Sequence, residues 1–386
     1  MELLVDGIIF QKDPHGGVAR LYEEILPRMC DIDPDLRITI FIDGPLRREL
    51  PIHAQISVRK APPVKRTIRV QGVWRRLFYP FRRLASRAWN IIRGVWLGRG
   101  EGVIWHSTYY TLPQVWEGKQ VVTVYDMIYE HYPDLYHDPL DDLARELHRR
   151  CIEQADAVIC ISEATRQDVL HYYPQTAASK LHVIPLAASP VFRLLSESER
   201  SSDPPAAGLG KEDAFLLFVG SRFAYKNFEG LLEAYSNWPG SDRVKLVVVG
   251  GLWRTEEIQL LGKLGISGKV FLLSKVDDEA LRQLYSRALA FVSPSLYEGF
   301  GIPLLEAMAC GCPVIASRIP SSLEVAGECA LYFEPSQPES LLVALDQVLA
   351  GNGIPEMVKL GLERARQFSW ERTAQQTLDV YRSLCD

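Results

Sequence analysis

Short apolar runs and longer amphipathic stretches alternate along the chain. Apolar runs rich in Val, Ile, Leu and Phe are typical of strands buried in a parallel sheet, whereas apolar spacing of three and four, as at Val18, Leu21 and Ile25, indicates helices. Ser162 is a predicted helix N-cap. In the first half we predict strands over residues 3–10, 38–42, 103–106, 121–125, 157–161 and 181–184, and helices over 17–29, 140–154 and 162–171.

The second half repeats this alternation. Its pattern predicts strands over residues 215–219, 245–249, 270–273, 290–292, 313–316 and 330–333. Helices are predicted over 228–235, with Asn227 as cap, over 277–287, and from 337, 355 and 370. Residues 196–213 are polar, rich in Ser, Pro and Gly, and predict a linker. The fold class is therefore α/β, with two doubly wound Rossmann-like domains (1–195 and 214–369) facing across a cleft.

Length and composition fit this interpretation. A chain of 386 residues exceeds a single core, and 47% hydrophobic with 24% charged residues is ordinary for a soluble globular protein. Cys310 and Cys312 enclose a single residue, so the seven cysteines show neither redox nor zinc spacing and predict buried, reduced thiols. With no leader-like or spanning apolar segment, we expect a cytoplasmic protein that does not cross the membrane.

The net charge of −5 conceals an uneven distribution. Residues 50–100 contain twelve Lys and Arg and no Asp or Glu, interleaved with aromatic residues such as Trp74 and Phe78. Such a segment is typical of a surface that binds anionic lipid, so we expect residues 59–99 to contact the membrane. The alternative is a solvated face, or arginine stems packed on the core. A nucleic-acid partner is not expected, because no nucleic-acid module accompanies the charge.

Two acids lie eight positions apart after an apolar run. Glu298 stands in a turn, Gly299-Phe300-Gly301 exposes backbone, and Pro303 can begin a helix that contains Glu306. A helix N-terminus binds phosphate, and carboxylates bind sugar hydroxyls. The alternatives are a surface turn and an ordinary helix acid.

Two cations and a glycine pair could hold phosphate. Arg222 and Lys226 follow a predicted buried strand, and Gly16 and Gly17 separate the first strand from the first helix. The glycine spacing is not the Gly-x-Gly-x-x-Gly of nicotinamide or flavin sites, which argues against a dehydrogenase. Asp126 ends another strand on the expected cleft side, although Asp in this place is often a turn cap.

Together these motifs resemble the Glu-x7-Glu signature of retaining glycosyltransferases, in particular glycosyltransferase family 4 of the GT-B fold. The resemblance covers nearly the whole chain and is most specific over residues 220–317. It implies that the helix within residues 370–386 crosses back to the N-terminal domain. Family members usually show His-Asp where this chain has Tyr125-Asp126.

The resemblance also implies roles for the candidate residues. In the donor site it implies that Gly16, Gly17, Arg222 and Lys226 bind the diphosphate. Val276 would contact the base and Glu306 the ribose. The sugar would be bound by Glu298 with Gly299, Phe300 and Gly301. The catalytic set is Asp126, Glu298, Arg222 and Lys226.

The resulting expectation is a metal-independent, retaining hexosyltransferase without a cofactor. It would use a UDP- or GDP-type sugar, with UDP favoured, and a saccharide or lipid-linked acceptor in polysaccharide or glycolipid assembly. The enzyme would be cytoplasmic or peripheral on the inner face of the membrane. The alternatives are a nucleotide-sugar epimerase or hydrolase of the same fold, or a silent sugar-nucleotide-binding subunit.

Overall fold

The chain folds into two compact units. The computed structural model describes residues 1–12, 17–61, 100–113, 116–136, 139–200, 210 and 213–385. The first unit comprises Met1–Ile161, Arg166–Ile184 and Trp370–Asp386, and the second comprises Ser162–Thr165 and Pro185–Ser369. Residues 185–195, which we expected in the first domain, thus belong to the second. Packing explains this, because the ring of Phe192 meets that of Tyr285 at 5.9 Å.

Each unit is built on one parallel sheet. The strands of the first are β1 Glu2–Asp6, β2 Arg37–Ile42, β3 Ile56–Lys60, β4 Val103–Ser107, β5 Gln120–Val124, β6 Ala157–Cys160 and β7 Leu181–Val183. Those of the second are β8 Phe215–Val219, β9 Lys245–Val249, β10 Val270–Leu273, β11 Ala290–Ser293, β12 Val314–Ser317 and β13 Leu331–Phe333.

Helices connect the strands. They are α1 Ile9–Lys12, α2 Gly17–Ile32, α3 Ile128–His131, α4 Pro139–Gln154, α5 Glu163–Tyr172, α6 Glu197–Arg200, α7 Phe228–Asn237, α8 Thr255–Lys263, α9 Asp278–Arg287, α10 Ile302–Ala309, α11 Pro320–Ala326, α12 Pro338–Ala350, α13 Ile354–Ala365 and α14 Trp370–Ser383. Among the described residues, 3-10 turns lie at Pro133–Leu135, Ala178–Lys180, Ala224–Lys226 and Pro239–Asp242.

Strand order confirms the doubly wound α/β class. The sheets run β3-β2-β1-β4-β5-β6-β7 and β10-β9-β8-β11-β12-β13. In each sheet the order reverses beside the first strand, between β1 and β4 and between β8 and β11. Ligands of such sheets bind beyond the carboxyl ends of the strands at this reversal. The fold therefore directs attention to the segments that follow β8 and β11.

The helix α14 belongs to the first unit and packs against α2. It buries Trp370, Leu378 and Tyr381, and at its surface Arg28 Nε donates to Glu371 Oε1 at 2.9 Å. Apolar residues on one face of the helix and an ion pair at its rim thus attach it to α2.

Several local predictions need correction. The strand expected over residues 3–10 ends at Asp6, because the Asp6 carboxylate accepts a hydrogen bond from the Ile8 amide in a turn, and α1 follows. The predicted linker holds α6, whose Glu199 carboxylate binds Arg282 of α9, while residues 201–209 and 211–212 lie outside the described part. Strand β3 was not predicted, because four of its five residues are exposed. Helices α3, α8 and α11 were also not predicted.

Two global predictions can be compared with the described residues. Six of the seven cysteines are buried, and Cys385 is exposed. Among the residues that the structure describes, no helix is both long and apolar enough to cross a bilayer. In the basic segment, Arg59 and Lys60 are exposed on β3, and residues 62–99 lie outside the description.

Candidate functional site

Lys226 and Glu298 meet at the carboxyl ends of β8 and β11. Lys226 Nζ donates to Glu298 Oε1 at 2.5 Å, and Ser295 Oγ donates to the same oxygen at 2.7 Å. Both side chains of the ion pair are about one-fifth exposed, at 21% and 17%. They line one pocket in the second unit, together with Gly301, Pro303 and other residues of β8, β11 and α10. The pocket thus brings a cation, an acid and the start of a helix close together.

Backbone geometry holds this pocket together. The Leu296 amide donates to the Tyr225 carbonyl at 2.7 Å, which ties the loop after β11 to the 3-10 turn after β8. Gly301 immediately precedes α10 and has φ of 103°, a left-handed conformation that favours glycine. A Cβ at this position would lie 3.0 Å from Leu304 Cδ1. Asn227 is also left-handed, with φ of 51°, and its side chain does not cap α7, contrary to our prediction.

Arg222 lies outside that pocket lining and is paired with a buried acid. Its Nε and Nη2 donate to the two Glu257 carboxylate oxygens at 2.8 and 3.0 Å. Arg254, with 53% of its side chain exposed, also pairs with Glu257 at 2.8 Å. Burial by itself raises the pKa of Glu257, but hydrogen bonds from Arg222 and Arg254 outweigh it and lower that pKa to about 2. The acid is therefore ionised between two arginines. Sequence reasoning found Arg222 but neither Glu257 nor Arg254.

Glu306 lies in the second turn of α10 and is 6% exposed. Its Oε2 accepts a hydrogen bond from Tyr285 at 3.1 Å. Burial, and then the negative charge of Glu306, raise the pKa of Tyr285 well above its usual value, so this phenol remains a donor. The predicted ribose ligand thus has one oxygen fixed by a neighbour that sequence reasoning missed.

The remaining donor-site candidates differ in which of their atoms are available to a ligand. The Gly299 carbonyl accepts hydrogen bonds from the Ser162 and Thr165 hydroxyls at 2.6 and 3.1 Å. The Phe300 side chain is 3% exposed and packs against Phe368, so that residue has only its backbone to offer a ligand.

Val276 is half-buried in the loop between β10 and α9. Lys275, just before it, has a left-handed φ of 57°. Such strain in a non-glycine residue is common at functional sites.

In the first unit, Asp126 follows β5, and its Oδ1 accepts from the Ile128 amide at 3.1 Å. This is the turn cap that the sequence left open as an alternative. The Tyr125 ring points inward, where its hydroxyl bonds Tyr22 Oη at 2.7 Å and donates to the Thr108 carbonyl at 2.8 Å. In place of the usual family histidine, this chain therefore has a core residue.

A buried histidine stands beside that tyrosine pair. His106 is 1% exposed, its Nε2 lies 2.9 Å from Thr123 Oγ1, and its Nδ1 contacts the Tyr381 hydroxyl. Burial lowers the pKa of His106 to about 3, so the imidazole is neutral at physiological pH.

Gly17 is the exposed first residue of α2, and Gly16 lies outside the described residues.

No cluster of His, Cys, Asp or Glu able to hold a metal is found in the described ranges. Two Asp-x-Asp runs occur, both within residues 31–35 at the end of α2. In them Asp33 pairs with Arg382 at 3.0 Å, and His53 Nε2 lies 3.3 Å from Asp31. Asp33 thus links the end of α2 to α14, and none of these aspartates directly follows a strand.

Two family models match the sequence. The model described as glycosyl transferases group 1 matches residues 199–367, and that described as glycosyltransferase family 4 matches residues 16–190. Among curated proteins, the O-antigen chain mannosyltransferase B of Escherichia coli is 28% identical over 381 residues, which cover 97% of each chain.

Solved structures share the architecture. Sucrose-phosphate synthase from Thermosynechococcus elongatus matches with a TM-score of 0.72 and 21% identity, covering 100% of this chain and 99% of that one. Anabaena Alr3699/HepE in complex with UDP-glucose matches with a TM-score of 0.69 and 17% identity, covering 99% and 100%. The chain therefore belongs to glycosyltransferase family 4, the glycosyl transferases group 1, and has the two-domain GT-B fold.

Proposed function

We propose that this glycosyltransferase transfers a hexose, with retention of configuration, from a nucleoside diphosphate sugar to a saccharide or lipid-linked acceptor in surface-polysaccharide assembly. The observation that carries the proposal is the Lys226–Glu298 pair in a pocket at the reversal point of the second sheet. A diphosphate needs a nearby cation and a sugar needs acceptors for its hydroxyls, and this pocket supplies both.

The chemistry follows from the charges. As the bond between the sugar anomeric carbon and the diphosphate oxygen breaks, negative charge grows on the leaving group, and Lys226 and Arg222 stabilise it. Glu298 accepts hydrogen bonds from sugar hydroxyls, and the carboxylate of Glu306 accepts from the ribose. Asp126 orients the acceptor hydroxyl, whose oxygen bonds to the anomeric carbon on the face that the leaving group vacates. The acceptor's proton passes to the departing diphosphate, so no covalent enzyme intermediate forms.

Full-length similarity to an O-antigen chain mannosyltransferase supports mannose as the hexose and polysaccharide assembly as the setting. The diphosphate contacts suit UDP and GDP sugars equally, and our preference for UDP stays a prediction. The solved relative HepE holds UDP-glucose.

A binding panel tests the donor. UDP- and GDP-linked mannose and glucose are each added to the purified protein, and thermal unfolding is recorded. A ligand at about 100 times its Kd stabilises the folded state by about 2.7 kcal/mol, which shifts the melting temperature measurably. Failure of every nucleotide sugar to stabilise the protein would refute the proposal.

Product analysis tests the reaction. With the stabilising donor and a mannose-terminated oligosaccharide, proton NMR of the product should show the same anomeric configuration as the donor. An inverted product would exclude retention. Free hexose formed at the same rate without acceptor would instead identify a hydrolase.

We also propose that residues 59–99 bind the enzyme to an anionic membrane. The support for this is the excess of Lys and Arg in their sequence. At about 1 kcal/mol per cation near an anionic surface, a few engaged residues suffice for reversible binding. Replacing Arg75, Arg76, Arg82 and Arg83 with Gln should weaken sedimentation with phosphatidylglycerol vesicles. Undiminished sedimentation would remove lipid binding from the proposal.

A further inference from the structure

Glu257 binds one edge of the Arg222 guanidinium. The bonds from Nε and Nη2 to the two carboxylate oxygens, at 2.8 and 3.0 Å, form a bidentate pair, and Nη2 also donates to the Leu252 carbonyl at 2.8 Å. Glu257 is 1% exposed and Arg222 is 9% exposed, so the pair is shielded from water. A planar guanidinium held at two points has its orientation fixed.

The other edge of Arg222 is left open. Its Nη1 makes no hydrogen bond within the ranges described, and it lies over Gly250, where a Cβ would come within 2.9 Å of it. The guanidinium also stacks over the Trp253 ring, 4.9 Å from its centroid. Gly220 and Gly250 follow β8 and β9, so Nη1 lies at the carboxyl edge of the sheet.

Arg254 completes the cluster. Its Nη2 donates to the Arg222 carbonyl at 2.7 Å and to Glu257 Oε1 at 2.8 Å. The side chain is 53% exposed, which leaves part of the guanidinium open to an anion. Two arginines and one glutamate leave a net charge of +1, so the carboxylate fixes both cations without cancelling them.

We propose that Glu257 is a positioning residue for the donor diphosphate, which it serves by aligning Arg222, and that Arg254 is an additional cation of the diphosphate site. This inference rests on the proposed function, since it assumes a nucleoside diphosphate sugar as donor. The physical reason for a buried acid in a site for anions is orientation, because a misplaced guanidinium loses much of its effect on the transition state.

The test uses the full-length protein and three variants. Glu257→Gln keeps the shape and removes the charge, Glu257→Asp keeps the charge on a shorter stem, and Arg254→Gln removes the exposed cation. Donor Kd is measured by calorimetry with the sugar nucleotide that the panel selects, and kcat and KM are measured for donor and acceptor. We expect Glu257→Gln to raise the donor Kd about tenfold and to lower kcat further, with an unchanged acceptor KM. Glu257→Asp should recover part of the loss. Arg254→Gln should raise the donor Kd with only a small drop in the melting temperature, because the Arg254 side chain is half exposed.

A matched control separates positioning from folding. Glu199 also pairs with a buried arginine, Arg282, in the same unit, so Glu199→Gln removes the charge of another carboxylate that binds an arginine. It should lower the melting temperature without changing the donor Kd. The double variant Glu257→Gln/Arg222→Lys should bind donor no more weakly than Arg222→Lys, because the two residues act as one unit.

The outcomes distinguish the inference from the proposed function. If wild-type protein binds no sugar nucleotide, the proposed function fails and this inference fails with it. If wild type binds donor and Glu257→Gln binds it equally well, only the positioning role is wrong. If Glu257→Gln does not fold, the folded Arg254→Gln variant decides the matter, and an unchanged donor Kd there overturns the proposal.

Discussion

Removing the Lys226 ammonium should separate catalysis from stability. The ion pair with Glu298 is 2.5 Å long and about one-fifth exposed, so its loss in Lys226→Ala should cost about 1 kcal/mol of the free energy of unfolding. Glu298 keeps its hydrogen bond from Ser295 at 2.7 Å and stays in place. For units of this size, such a change lowers the melting temperature by about 2–4 °C and leaves the protein almost wholly folded.

The effect on transfer should be much larger. A preorganised donor to a developing negative charge contributes about 3–4 kcal/mol to the transition state, so kcat/KM for the donor should fall by about 10²–10³-fold. Initial rates of nucleotide release with saturating acceptor measure this loss, and calorimetric melting measures the stability.

The matched control is Lys245→Ala. Lys245 also makes a 2.5 Å ion pair, with Asp213, at similar exposure, but it begins β9 at the sheet edge opposite the pocket. Lys245→Ala should have the same melting temperature as Lys226→Ala and the same transfer rate as the wild type. If Lys226→Ala keeps its kcat/KM within about threefold of wild type, or if Lys245→Ala loses as much, the assigned role of Lys226 is wrong.

Three further predictions concern backbone strain, pH and metals. Gly301→Ala should lower the free energy of unfolding by about 1–3 kcal/mol, because φ there is 103°, and an unchanged urea midpoint would contradict this. The folded pKa of His106 is about 3, below its usual value of 6.5, so its neutral form stabilises the protein above pH 6.5 and that stability is lost as pH falls towards 3, by about 2 kcal/mol at pH 5. The free energy of unfolding of His106→Gln, measured with urea, should depend less on pH than that of the wild type. An equal pH dependence in the two proteins would exclude His106 as the source of this loss of stability. EDTA should change the transfer rate by less than about twofold, since in the proposed mechanism side-chain cations neutralise the diphosphate. Recovery of a lost rate on adding Mg²⁺ would show that transfer needs a metal.

Sequence patterns predict best those features of the fold that follow from the local order of strands and helices. Lys226 and Glu298 stand 72 positions apart, yet both follow buried apolar runs, and parallel strands bring their carboxyl ends to one edge. The proximity of Lys226 and Glu298 could therefore be predicted from the sequence, although the hydrogen bonds between specific atoms could not. Ser162 bonds the Thr165 amide at 2.9 Å as a cap, as its position before the helix suggested.

Contacts between loops are much harder to predict. The pairing of Glu257 with Arg222 joins the loop after β8 to the start of α8, and neither sequence neighbourhood signals it. Asn227 has the composition of a cap but adopts a left-handed turn, because the 3-10 turn before it sets the backbone. Tyr125 follows the buried run of β5. Its hydrogen bonds to Tyr22 and to the Thr108 carbonyl show that the ring points into the core, which the sequence does not indicate.

The placement of α14 has a consequence for synthesis of the protein. The first unit draws Trp370 and Tyr381 into its interior from a stretch translated after the entire second unit, and the Tyr381 hydroxyl contacts His106. Domains usually fold in the order in which they leave the ribosome. Here the first unit cannot complete its core over α2 until α14 has been translated, so the second unit can be the first to reach its native state.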